Sequence, residues 1–140
     1  MRVHTIHRPW WGLGALCLGM VMLFMNTTMI NVALPDLSTS LGAGTSQLEW
    51  IVSSYNLAFL AVLLPGGAVG DRLGHRSTLV AGAVVFGAGA LVGATSGSVG
   101  WLMTARVLMG VGASVFTPMS LALIPRMFPA EQRGLATGVW

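Results

Sequence analysis

Long stretches almost free of charge alternate with short polar segments along this chain. Residues 10–34 contain no charged side chain, a run longer than the ~20 residues needed to cross the hydrocarbon core of a bilayer. It predicts a first spanning helix, with Trp10 and Trp11 at its start where an interfacial aromatic belt would sit. Residues 35–49 hold Asp36 and Glu49, no cation, and a Gly/Ser/Thr-rich middle, and predict a loop. A second helix is expected over 50–69, with Pro65, ahead of Gly66 and Gly67, bending or fraying its end. A polar hinge over 70–76 leads to a third helix over 77–94, an uncharged turn over 95–99 and a fourth helix over 100–124. That fourth run is interrupted by one charge, Arg106, and by Pro118, expected to kink it. Residues 125–133 form a last polar loop, and 134–140 begin a further apolar segment of about two turns, too short to span. The pattern describes an all-α integral membrane fold with four transmembrane helices, and its ending predicts a fragment of a longer protein.

Composition sharpens this picture. The chain has 140 residues, is 54% hydrophobic and 8% charged, and has a mean hydropathy of +0.78, whereas a soluble domain carries about 25% charged residues. All seven cations are arginines, and they fall in the arm over 1–9, the hinge, the last loop and at Arg106. The two intervening loops have none, so the positive-inside rule places the N-terminus in the cytoplasm and makes the chain a multi-pass protein of the cell (plasma or inner) membrane, with the bilayer as its first partner. A basic arm before an apolar run also describes a signal peptide, but this run is too long and no small-residue cleavage site closes it. The sequence pI of about 10.6 reflects a few loop arginines rather than a basic nucleic-acid-binding face. The single cysteine, Cys17, reads as a small hydrophobe.

Chemistry for an enzyme is missing. There is no Ser-His-Asp, Cys-His or metal-ligand cluster, and Gly110-x-Gly112 lacks the third glycine, strand and acid of a nucleotide fingerprint. No catalytic residue, metal or cofactor is expected. Arg106 is the conspicuous residue, about 9 Å inside the outer face at ~1.5 Å per residue, where a guanidinium is costly unless it is paired, faces water or snorkels back to the interface.

The hinge reads Gly67-x-x-x-Asp71-Arg72-x-Gly74-His75-Arg76. This resembles the signature loop between the second and third helices of the major facilitator superfamily, with His75 where that pattern has a basic residue. Leu102-x-x-x-Arg106-x-x-x-Gly110-x-Gly112 is similar to the arginine-bearing fourth-helix motif of proton-linked members. Asn26-x-Thr28-x-x-Asn31-x-Ala33-Leu34-Pro35 is similar to the first-helix motif of the drug/proton antiporter branch with fourteen helices, where the first position is usually Asp. Glu49-Trp50 with Tyr55, and Phe128-Pro129 with Arg133-Gly134, resemble the same branch.

The resemblance implies the incomplete N-terminal six-helix half of a major-facilitator transporter, exporting lipophilic or cationic drugs against protons once the missing C-terminal helices are supplied. It implies a conformational lock at Gly67, Asp71, Arg72, Gly74, His75 and Arg76, for which the alternative is solvated topology charges. His75 makes such a lock weaker or pH-sensitive, since imidazole titrates near pH 6.5. It implies a cavity or coupling role for Arg106 beside Asn26, Thr28, Asn31 and Tyr55; hydrogen bonding between helices serves equally for Thr28, Asn31, Tyr55 and Asn56. Gly110 and Gly112 belong to packing, as does Gly89-x-x-x-Gly93, and Pro65 and Pro118 to helix bending. None of the four acids falls within a predicted span, and Asn26 cannot carry a proton at working pH, so coupling needs an acid elsewhere or another energy source. The rival readings are a complete four-helix small multidrug exporter, which needs a Glu in its first helix, and a non-transporting membrane scaffold, which leaves Arg106 unexplained.

Overall fold

The computed structural model describes residues 7–140. They form α1 (His7–Leu41), α2 (Thr45–Leu73), α3 (His75–Ala94), α4 (Val99–Met127) and α5 (Ala130–Val139). The first four are long and apolar enough to cross a membrane. The basic arm expected at the start lies, up to residue 6, outside the described residues.

The helices overrun the polar segments expected to interrupt them. α1 has 35 residues, roughly 52 Å at 1.5 Å per residue, and carries Pro35 inside it. The loop expected over 35–49 shrinks to residues 42–44, and the residue that stops α1 is Gly42, at φ 61°, in the left-handed conformation of a helix C-terminus. α2 restarts after Gly44, whose N–H donates to the Gln47 side chain at 3.1 Å. It continues through Pro65 to Leu73, so the proline does not end it. Backbone groups facing lipid have no water to bond, which favours carrying the helix through a proline over opening a loop there.

The hinge contracts in the same way. Of the segment expected over 70–76, only Gly74 is non-helical, at φ 94°. Its N–H donates to the Gly70 carbonyl at 3.0 Å, and its own carbonyl accepts the Thr78 N–H at 3.1 Å, so one residue closes α2 and opens α3. At the other end, Ser98 caps α4 by accepting the Trp101 N–H at 3.4 Å. The loop expected over 125–133 reduces to 128–129, and the last segment, placed at 134–140 from sequence, starts as α5 at Ala130.

α4 is the core helix, with buried positions all round it, among them Leu102, Ala105, Met109, Ala113, Phe116 and Ile124. Its glycines set how near its neighbours come. A Cβ added to Gly112 would meet the Phe86 N at 2.5 Å and the Gly82 carbonyl at 2.6 Å, both α3 backbone. One on Gly89 would meet the Met109 N at 2.9 Å. On the opposite side, a Cβ on Gly110 would meet the Tyr55 carbonyl of α2 at 2.5 Å. Such backbone contact is the usual way helices gain van der Waals energy in lipid, where no hydrophobic drive brings them together. α1 packs differently, through side chains at helical spacing: Leu13, Leu16, Met20 and Leu23 are buried, the last three in one cluster with Tyr55, Met109 and Phe116 and Leu13 in a second with Ile124, Phe128 and Ala136. Its other face, with Trp11, Leu18, Met22, Phe24 and Val32, is exposed. Trp10 meets Phe128 edge-on at 5.0 Å, tying the start of α1 to the end of α4.

Gly112→Leu is therefore expected to part α3 from α4. Overpacking costs about 1–3 kcal/mol, and here the obstructing atoms are backbone, so thermal unfolding in detergent should fall by several degrees or folded protein should be lost. Gly87→Leu, where an added Cβ meets nothing within 4 Å, should unfold like the unsubstituted protein.

Candidate functional site

Arg106 lies one turn before Gly110 on α4, and that closeness explains its surroundings. Because Gly110 lets the α2 backbone approach, the Arg106 guanidinium reaches across to α2 and α1 rather than out toward the membrane surface. It is 2% exposed, which removes the snorkelling alternative. Its Nε donates to the Ile51 carbonyl at 3.3 Å, and its Nη1 donates to Asn26 Oδ1. The guanidinium carbon lies 4.5 Å from the centroid of the Tyr55 ring, within the range of a cation–π contact. One side chain thus bonds three helices, and all its partners are neutral. Asn26 turns its Nδ2 the other way, 4.0 Å from the Met109 sulfur.

Two clefts flank this cluster. One, of about 220 Å³, lies between α1, α2 and α4 and is lined by Phe24, Thr27, Tyr55, Asn56, Phe59 and Thr117 among others. Its aromatic wall is the Tyr55–Phe59 stack, with ring centroids 6.3 Å apart. The other, of about 270 Å³, lies between α1, α3 and α4 beside Asn26 and Arg106, with a lining otherwise apolar. Tyr55 forms part of the first cleft while its ring supports the guanidinium that borders the second.

Three of the five residues expected at the cavity, Asn26, Tyr55 and Arg106, therefore meet. Thr28 and Asn31 do not: both are exposed on α1, and the Thr28 hydroxyl donates back to the Phe24 carbonyl at 3.4 Å. Helical spacing carried the needed signal. Continuing the stripe Leu13, Leu16, Met20, Leu23 by steps of three and four reaches Thr27 and Ile30, leaving Thr28 and Asn31 turned outward. The Ile51 carbonyl had no signal, because nothing in a side-chain pattern marks which backbone oxygen an arginine will reach.

At the hinge, Asp71 Oδ1 and His75 Nε2 lie 3.3 Å apart across the Gly74 break. Among the described residues this is the one close contact between a basic side chain and a carboxylate. Arg72 and Arg76 are exposed. Gly67 is helical, and a Cβ there would meet nothing within 4 Å, so neither a turn nor a close approach requires glycine at that position. Gly70, by contrast, packs against Met119. Pro118 is accommodated inside α4, where Thr117 donates to the Ala113 carbonyl at 2.9 Å and Ser120 to the Thr117 carbonyl at 2.7 Å.

Comparison with known proteins agrees with this architecture. Residues 16–140 match the family model described as Major Facilitator Superfamily. The chain is 38% identical over 134 residues to the methyl viologen resistance protein SmvA of Salmonella typhimurium (strain LT2), covering 95% of this chain and 27% of SmvA. It is 38% identical to the puromycin resistance protein of Streptomyces alboniger, covering 95% of this chain and 27% of that protein. An MFS-type transporter of Mycobacterium tuberculosis is 37% identical over 94% of this chain and 23% of its own length. The chain spans about a quarter of the length of these curated relatives. A match of this extent leaves the small four-helix exporter family without support.

The three-helix clasp predicts a particular order of tolerance. Tyr55→Phe keeps the ring under the guanidinium and should leave thermal unfolding in detergent almost unchanged, whereas Tyr55→Leu removes it and should cost about 1–2 kcal/mol. Equal melting temperatures for the two variants would show that the ring contributes only volume.

Proposed function

This chain belongs to the Major Facilitator Superfamily, and from that membership we propose that it forms the N-terminal part of a secondary active exporter of lipophilic compounds, cationic ones among them, driven by protons. The observation that carries the reading is Arg106: a guanidinium buried within a helix of membrane-spanning length, held by Asn26, Ile51 and Tyr55, beside one cleft and separated by Tyr55 from another. Burying a permanent charge costs several kcal/mol after relaxation, a cost that packing alone gives no reason to bear. The aromatic cleft at Tyr55 and Phe59 suits a flat, apolar substrate. Relatives named for resistance to methyl viologen and puromycin support export over uptake.

Alternating access in this architecture requires two halves rocking about a midplane site, and four spanning helices supply only part of one. All four acids are exposed, Asp36 in the last turns of α1, Glu49 in the second turn of α2, Asp71 at the hinge and Glu131 in α5, and none meets Arg106; in this reading the proton-carrying carboxylate facing Arg106 is supplied by another part of the complete protein. The hinge then acts as the cytoplasmic lock. Exposed Asp71, Arg72 and Arg76 are available to the other half, and His75 ties Asp71 to the start of α3. The arginine distribution supports a cytoplasmic N-terminus in the cell membrane.

Accumulation of ethidium in cells expressing the complete reading frame tests the proposal. Unsubstituted protein should lower accumulation, a protonophore should abolish the difference, and Arg106→Met should return it to the vector level with equal protein in the membrane. Export undiminished by Arg106→Met would refute the role given to the guanidinium. Cells making these 140 residues alone should accumulate ethidium like the vector control, and efflux by that short chain would overturn the requirement for a second half.

A further inference from the structure

Arg106 is buried, with 2% of its surface exposed, always charged, and surrounded by neutral groups. Its contacts are a backbone carbonyl, an amide oxygen and an aromatic face. Among the described residues no carboxylate approaches the side chain; Asp36, Glu49, Asp71 and Glu131 are all exposed. The guanidinium borders the cleft of about 270 Å³ between α1, α3 and α4, where Asn26 is the other polar residue and Met29, Ile30, Ala90 and Leu102 contribute apolar walls. An unbalanced cation against such a surface acts through a low dielectric, where its attraction for a negative group is many times that in water.

Asn26 determines how that charge is presented. Its Oδ1 accepts from Nη1 and fixes the guanidinium plane, as a carboxylate would, but the amide brings no charge. An Asp at this position would make the same bond and cancel the field. The amide therefore orients the arginine and leaves its charge uncompensated.

We propose that the cleft between α1, α3 and α4 is a binding site for a small monovalent anion, a halide or the carboxylate of a small organic acid, held by the Arg106 guanidinium, with Asn26 as the residue that positions it without neutralising it. The volume admits a halide with several waters, each occupying about 30 Å³, or a carboxylate on a single ring. This site is separate from the aromatic cleft on the other side of Tyr55, and it stands on the geometry of Arg106 whether or not the protein exports drugs.

The test is equilibrium binding to the protein from its complete reading frame, purified in detergent, with the ³⁵Cl resonance of sodium chloride as the probe and sodium benzoate as the competitor. The unsubstituted protein should broaden the chloride line. Displacement by benzoate assigns the site to organic carboxylates as well, and chloride broadening that benzoate leaves intact assigns it to halides. Asn26→Asp, which keeps shape and hydrogen bond, and Arg106→Gln should each weaken binding by at least about tenfold, while Arg106→Lys should retain part of it. Should Arg106→Gln fail to give monodisperse protein, Asn26→Asp decides. Absence of chloride broadening together with absence of radiolabelled benzoate binding in equilibrium dialysis of the unsubstituted protein would overturn the proposal, since the balancing charge would then be built into the protein. Binding that survives both Asn26→Asp and Arg106→Gln would overturn it equally.

Discussion

The arrangement depends on one buried arginine with uncharged partners. Arg106 lies on α4, takes the Ile51 carbonyl from α2 and the Asn26 amide from α1, and rests on the Tyr55 ring. In lipid, a polar contact between helices gains its value because the alternative partner is hydrocarbon, though that value is commonly modest for neutral pairs. A guanidinium differs in having five donors in a rigid fork, so it can bond several helices at once. α1 shares no tight backbone contact with α4 of the kind that joins α3 to α4, which makes the Asn26–Arg106 bond, together with the Leu13–Leu23 stripe and the Trp10–Phe128 contact, the means of holding α1 in place.

The clasp has its reach because α4 is smooth where its neighbours press on it. Gly112 and Gly82 bring α3 into backbone contact with one side of α4, and Gly110 brings α2 onto the other. With a side chain at Gly110, the Ile51 carbonyl and the Tyr55 ring would stand farther off, and Arg106 would have to find its partners in water or headgroups. Packing and charge placement are therefore one problem here: small residues set the helix spacing, and the spacing decides which groups a fixed-length arginine can touch.

At the hinge the same economy appears in another form. A reversal between two membrane helices needs only Gly74, because a positive φ at one residue turns the chain and its amide and carbonyl remain bonded to the two flanking helices. The charges that gave this segment the look of a loop lie on helix ends instead. Asp71 lies in the last turn of α2 and His75 opens α3. Their side chains meet at 3.3 Å across the reversal.

Much of this was legible from residues alone. Apolar run length marked four spanning helices, and the isolation of Arg106 in a charge-free span singled it out, because the cost of a charge in lipid is a property of the side chain and its depth, independent of neighbours. Helix ends were read less well: Pro35 and Pro65 look like stops in a pattern learned from water, but a bilayer enforces continuous backbone bonding, and the actual stops are Gly42 and Gly74, whose positive φ only coordinates reveal. Which polar residues meet Arg106 was decided by tertiary structure. Asn26 and Tyr55 face it while Thr28 and Asn31 turn outward, and the Ile51 carbonyl enters through the rotation and spacing of two helices, quantities set by glycine contacts between segments more than fifty residues apart.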